Sequence, residues 1–211
     1  MGFEHGCFIS HVSAQESLMT EFVESLVDAL KSELEPYMDD PVFIDQERMR
    51  AGYRFNEALA HGICASACWI VVYVPQYWYR DYCMRELQAM LALERQRRHA
   101  LGSQIDRRTA MIIPILLRGR LSELPANLSE AVHCLKFNGF TTATGDILRN
   151  QTYISKITDI AAYINEIYRL GTQLGGTNCA DFVIPPLDGT LGSPPPPQAF
   201  PGYSSQKHEG A

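Results

Sequence analysis

Seven consecutive apolar residues, Cys68-Trp69-Ile70-Val71-Val72-Tyr73-Val74, run without a polar break until Pro75. A strand with one wet face alternates apolar and polar residues. An unbroken run of this length reads instead as a strand buried on both faces, which is the pattern of a parallel sheet covered by helices. Shorter runs of the same kind recur at Cys7-Phe8-Ile9 and Val42-Phe43-Ile44, then at Met111 to Leu117 and, more weakly, at His133 to Phe137. Between them lie segments of helical periodicity. Leu18, Phe22, Leu26, Leu30 and Leu34 form one stripe that stops before Pro36, with Ser13 and Glu16 as a capping box ahead of it. A second helix is expected from about Tyr53 to Ala65. A third carries Cys83, Leu87, Met90 and Leu91 on one face, and a last one carries Ile154, Ile157, Ala161, Ile164 and Tyr168 and ends at Gly171. Five strands alternating with helices predict an α/β, flavodoxin-like three-layer fold with a five-stranded parallel sheet in the order 2-1-3-4-5. Pro114 cannot donate to a sheet ladder, so a local bulge is expected there.

The domain is expected over residues 1–170. From Gly171 onward Gly and Pro crowd the sequence, with Pro194 to Pro197 in one run. Residues 171–211 therefore read as a disordered tail, with docking of Phe182-Val183-Ile184 on the domain as the lesser alternative. The net charge of -6 argues against a general binder of nucleic acid or anionic membrane. No apolar run approaches the roughly 20 residues that span a bilayer, and Met1 to His5 lacks the regions of a signal peptide. A cytoplasmic location is the expectation. The six cysteines show neither a CxxC pair nor a His/Cys ligand spacing, so no metal site is expected and all six read as reduced, buried thiols.

In the order 2-1-3-4-5 the switch point falls between strands 1 and 3, where open α/β sheets bind ligands. The loop after strand 1 carries Ser10, His11 and Ser13. The segment after strand 3 carries Pro75, Gln76, Tyr77, Tyr82 and Glu86. Glu86 lies on the border of its helix's core face, one turn from Tyr82. Alone, it reads rather as a flank Glu paired with an Arg; the topology, by bringing two polar groups to one crevice, raises it above that. His11 reads equally as a base or as a satisfied structural histidine. Arg95, Arg97 and Arg98 read as a solvated helix end.

With these motifs in place, residues 6 to 170 resemble the TIR (Toll/interleukin-1 receptor) domain family. Phe8-Ile9-Ser10-His11 is similar to the family's first box. Phe43-Ile44-Asp45, followed by Gly52, resembles its second strand and the BB loop. Pro75-Gln76-Tyr77 and Tyr82-Cys83-Met84-Arg85-Glu86-Leu87 resemble its Tyr-x-x-S-x-Trp-Cys-x-x-Glu-Leu signature, with Tyr82 in the place of the Trp. Ile113-Pro114-Ile115 matches the fourth strand. The loop Asp45 to Gly52 lacks the animal receptors' Arg-Asp-x-x-Pro-Gly and looks more like plant and bacterial members.

The family contains scaffolds that signal by self-association and enzymes that cleave NAD+ at the nicotinamide-ribose bond. The resemblance implies an NAD+-cleaving enzyme in antiviral or cell-suicide immunity, giving ADP-ribose or a cyclic or derivatised form of it. NAD+ would be its substrate, with no separate cofactor. Glu86 would be catalytic. Phe8, Ser10, His11, Asp45, Arg48, Arg50 and Tyr82 would contact the dinucleotide, and the loop 45–52 would mediate self-association. A separate sensor or effector protein is a further expected partner. The alternative is a non-enzymatic TIR scaffold.

Overall fold

In the computed structural model the described residues are 2–13, 18–44, 55–129, 133–140, 150–171, 178–189 and 191–192. Five strands form one parallel sheet: β1 (His5–Ser10), β2 (Val42–Phe43), β3 (Ser66–Tyr73), β4 (Ile112–Leu116) and β5 (Leu135–Lys136). Their order is β2-β1-β3-β4-β5, as the sequence predicts. All six residues of β1 and all eight of β3 are buried, which explains why neither strand alternates. Helices α1 (Leu18–Leu34) and α5 (Gln151–Gly171) pack against each other on one face, and α2 (Phe55–Ala65) and α3 (Asp81–Leu101) on the other; a short α4 (Ala126–Ser129) precedes β5. Phe22, Leu26, Leu30 and Leu34 are buried as the stripe requires, whereas Ile154 at the start of α5 is 37% exposed. Glu16 of the expected capping box and the expected self-association loop lie outside the described residues.

No bulge interrupts β4 at Pro114, because its register against β3 runs unbroken from Trp69↔Ile112 to Tyr73↔Leu116. The carbonyl of Met111 accepts from Trp69 N–H and the N–H of Leu117 donates to the Tyr73 carbonyl, so the odd-numbered residues face β3. Pro114, an even-numbered residue, turns its nitrogen toward β5. That ladder begins only at Ile115↔Leu135, so no donor is needed at Pro114.

Two further expectations are corrected. Cys64 and Cys179 form a disulfide across 115 positions, so these two are not reduced thiols; Cys7, Cys68, Cys83 and Cys134 are free and buried. Within the expected tail, residues 178–189 and 191–192 lie against the domain, with Ile184 and Leu191 only 5% and 6% exposed. The lesser alternative, docking through Ile184, holds for this stretch. Its composition concealed the outcome because one disulfide and two apolar side chains barely register in it.

Arg97 overturns the reading of a solvated helix end. It is 2% exposed. Its Nη1 donates to the carbonyls of Ser66 (2.8 Å) and Ala67 (3.2 Å), and its Nη2 donates to that of Cys64 (2.6 Å). The guanidinium lies over the rings of Phe3 and Trp69, 4.5 and 4.6 Å from their centroids. Burial pulls its pKa down to about 9, which leaves it charged at neutral pH. Nearby, Arg98 donates to the carbonyls of Thr109 and Arg107, and Glu94 Oε1 accepts from Met111 N–H at 2.5 Å. The charged stretch thus pins the C-terminal half of α3 to the starts of β3 and β4.

Gly6 in β1 marks a close approach. A Cβ there would stand 2.5 Å from Met38 Sδ and 2.7 Å from the Pro41 carbonyl oxygen. The methionine can move; the Pro41 backbone cannot, because its carbonyl accepts from Cys7 N–H at 3.0 Å. Gly6→Ala is expected to cost about 1–3 kcal/mol through overpacking, read as a lowered midpoint in thermal or urea unfolding.

Candidate active site at the β1–β3 crevice

The site forms where the sheet order reverses. β1 ends at Ser10, which is 1% exposed and pairs with Val71 of β3. β3 delivers the chain into a short 3-10 helix, Pro75–Tyr79, whose proline sits in the first turn where no N–H is required. The helix α3 then begins at Asp81, an acid well placed at a helix N-terminus. One turn further, Glu86 is turned back toward β1 and is 4% exposed.

Ser10 Oγ donates to Glu86 Oε2 at 2.5 Å and lies 2.7 Å from Tyr77 Oη. Tyr77 is fully buried, and its phenol is pushed far above its ordinary pKa by burial, then by the neighbouring Cys83 and Glu86. It therefore stays protonated and acts as a donor. Its single proton is shared between Ser10 Oγ and the Cys83 carbonyl, the latter at 3.2 Å. Tyr77, Ser10 and Glu86 thus form a buried hydroxyl relay ending on a carboxylate. Around them, Tyr82 is half-buried and accepts from Ser13 N–H at 2.9 Å, and Cys83 Sγ points to the His11 carbonyl at 3.5 Å. Burial raises the Cys83 thiol well above its usual range, so it is no nucleophile. Beyond Tyr77, Tyr73 and Trp78 both donate to the Glu123 carbonyl, at 2.7 and 2.6 Å.

Of the residues expected to meet a dinucleotide, Ser10 bonds Glu86 directly, and Tyr82 bonds the backbone of Ser13, three residues beyond Ser10. His11 is adjacent but lines a cavity of about 310 Å³ with Thr20, Val23, Glu24, Val27, Asp28 and Ile44; Glu86 is not among its lining residues. Burial lowers the His11 pKa, so its imidazole is neutral at neutral pH and offers a hydrogen bond rather than a charge. Phe8 is corrected: it is wholly buried and stacks on Phe43 with centroids 5.8 Å apart, a core position. A strand buried on both faces gives no sign of which residues reach its mouth. Asp45, Arg48 and Arg50 lie outside the described residues. The sequence pattern gives Tyr77 no role and does not single out Trp78. The signal for Tyr77 was available, since a tyrosine directly after a buried strand needs a partner for its hydroxyl.

Among the described residues, no helix is long and apolar enough to cross a membrane. No curated protein matches the chain. Solved structures similar to it include the TIR domain of the Toll-related receptor TRR-2 from Hydra magnipapillata, at 22% identity over 63% of this chain and 84% of that one, with a TM-score of 0.43. Another is the set of TIR domains in the activated Roq1 resistosome recognising the effector XopQ, at 16% identity over 77% and 82%, with a TM-score of 0.42. The family profile described as TIR domain matches residues 7–148, which is more than half of the chain. The sheet order and this match agree: the chain belongs to the TIR domain family.

Proposed function

We propose that this TIR domain cleaves NAD+ between nicotinamide and ribose, with Glu86 as the catalytic carboxylate. The observation that carries the reading is the 2.5 Å hydrogen bond from Ser10 to Glu86, which unites the ends of two sequence motifs at the switch point of the sheet. The chemistry demands little machinery. Nicotinamide is a cationic pyridinium in NAD+ and departs neutral with the electron pair of the C1′–N bond, so no general acid is required. Positive charge develops on the ribose, as in the oxocarbenium-like states of glycosidases. A carboxylate shielded from water stabilises that charge far more than a solvated one. Ser10 holds one oxygen of Glu86, and Tyr77 holds Ser10, so the carboxylate is oriented before substrate arrives. Tyr82 forms the aromatic flank, and the loop 45–52 is proposed as the self-association surface.

One observation favours the alternative of a non-enzymatic scaffold. Glu86 is 4% exposed and satisfied by Ser10, which is also what a structural buried glutamate would show. The two readings separate when purified chain is incubated with NAD+ over a range of protein concentrations while free nicotinamide is measured. The enzyme reading expects release, with specific activity rising as the chain self-associates; a scaffold releases none at any concentration. A subtler effect is expected for Tyr77→Phe. It removes only the hydroxyl that supports Ser10, so kcat should fall about 3- to 10-fold, the worth of one hydrogen bond. KM should stay near the wild-type value, as steady-state kinetics would show.

A further inference from the structure

Another cavity, of about 390 Å³, is lined by residues at the starts of β4 and β5 and by one side of α5. It lies where the sheet runs short. The ladder between β4 and β5 holds only Ile115↔Leu135 and Leu116↔Lys136, so it stops before Ile112 and Ile113. The volume is that of a small-molecule site. The floor is apolar, with Ile112, Ile113 and Ile160 buried and Leu135 half-buried. The walls are held by hydrogen bonds. Tyr163 Oη donates to the Ala110 carbonyl at 2.6 Å and accepts from its N–H at 3.0 Å. The turn that carries Arg108 is closed by Asp106, whose Oδ1 accepts from Arg108 N–H at 2.8 Å and whose carbonyl accepts from Thr109 N–H at 3.0 Å. The cavity is therefore formed before any ligand arrives.

Its charged lining residues are Arg108 and Asp159, both exposed, and Lys156, half-buried. Lys156 Nζ lies 5.5 Å from the centroid of the Phe137 ring, a contact that occupies none of its N–H donors with an oxygen. Among the described residues no carboxylate pairs with either cation, and Lys156 and Asp159, three positions apart on α5, form no ion pair. Two cations against one carboxylate leave this pocket positive in a chain of net charge -6. We propose that it binds a small amphipathic monoanion, a carboxylate on a compact apolar body. The body lies on the isoleucine floor, where it leaves water. The carboxylate meets Arg108 and Lys156 through charge-assisted hydrogen bonds. Asp159 selects against a dianion such as a phosphate monoester, because a second negative charge is repelled at short range. The proposal is independent of the reading of Glu86. That residue meets Ser10 where β1 ends, and the pocket lies at the other end of the parallel strands, where β4 and β5 begin.

The test is a titration of the isotope-labelled full chain with naphthoate, followed by amide chemical shifts, beside naphthamide, which has the same shape without the charge. Naphthoate is expected to bind saturably, with the shifts centred on Ile112, Ile113, Leu135 and Ile160. Naphthamide should bind at least ~10-fold more weakly, the loss of a charge-assisted hydrogen bond. The double variant Arg108→Gln, Lys156→Gln should bind naphthoate no better than the wild type binds naphthamide, and its affinity for naphthamide should be unchanged. Absence of shifts at ~1 mM naphthoate would overturn the proposal. Equal affinity for the acid and the amide, or shifts centred away from the pocket, would do the same. So would shifts of these four amides on raising the protein concentration alone, with naphthoate excluded, because the face would then belong to a second copy of the chain. A double variant that fails to fold leaves the wild-type comparison of acid and amide decisive. No step uses NAD+, so this result and the nicotinamide assay fail or succeed separately.

Discussion

Glu86→Gln is expected to lower the rate of nicotinamide release by at least ~100-fold, equivalent to about 2.7 kcal/mol of lost transition-state stabilisation. The substitution separates charge from shape. Glutamine fills the same space, and its carbonyl oxygen can still accept the proton of Ser10, which at 2.5 Å is the contact that fixes the side chain. What disappears is the negative charge that the proposed mechanism sets against a ribose becoming positive as the pyridinium departs. Because the site is buried, that charge acts through a medium of low polarisability, where its loss is felt most. Stability should change little, since a buried charge costs desolvation that a neutral amide largely avoids. A thermal midpoint near that of the wild type, beside a collapsed rate, is the expected pair of results. Near-normal turnover in the variant would remove Glu86 from the mechanism.

The largest expected effect on stability is at Arg97. Replacing it with methionine preserves length and apolar packing against Phe3 and Trp69 but leaves the carbonyls of Cys64, Ser66 and Ala67 without this donor. Each charged-group hydrogen bond contributes about 1.5–3 kcal/mol, and the desolvation of the guanidinium offsets part of the sum. A net loss of about 2–4 kcal/mol is expected, which for a domain of this size lowers the melting temperature by about 4–16 °C. Arg97→Lys should recover only part of it, because one ammonium cannot fork between carbonyls on both sides of the α2–β3 junction. Thermal denaturation followed by circular dichroism gives the answer. Arg97→Met within a degree or two of wild type would show that the carbonyls find other partners. The position bears on the site as well, since α3 carries Glu86 and Arg97 about 16 Å apart along one helix. It is pinned to β1 at one end and to the start of β3 at the other.

What could be read from the sequence follows from how locally each feature is encoded. Unbroken apolar runs announce strands buried on both faces, and their alternation with helical stripes sets the sheet order; from that order alone Ser10 and Glu86 could be brought to one crevice. The same runs say nothing about depth, which is why Phe8 reads as a ligand contact and proves to be core. Arg97 was legible in retrospect. It lies on the stripe of Cys83, Leu87, Met90 and Leu101, all buried, and a charge on an apolar stripe calls for buried acceptors. Pro114 needed the register of both neighbouring strands before its missing donor ceased to matter. The Cys64–Cys179 bond could not be read at all, because pairing across the chain depends on tertiary proximity and leaves no spacing signature.

The central claim is that a buried carboxylate at the β1–β3 crevice breaks the nicotinamide-ribose bond. It is tested most directly by following nicotinamide release from NAD+ with wild-type chain and Glu86→Gln side by side, both folded and at the same high protein concentration. The account predicts steady release from the wild type and background release from the variant. Absence of release from the wild type, or equal release from both, would contradict it.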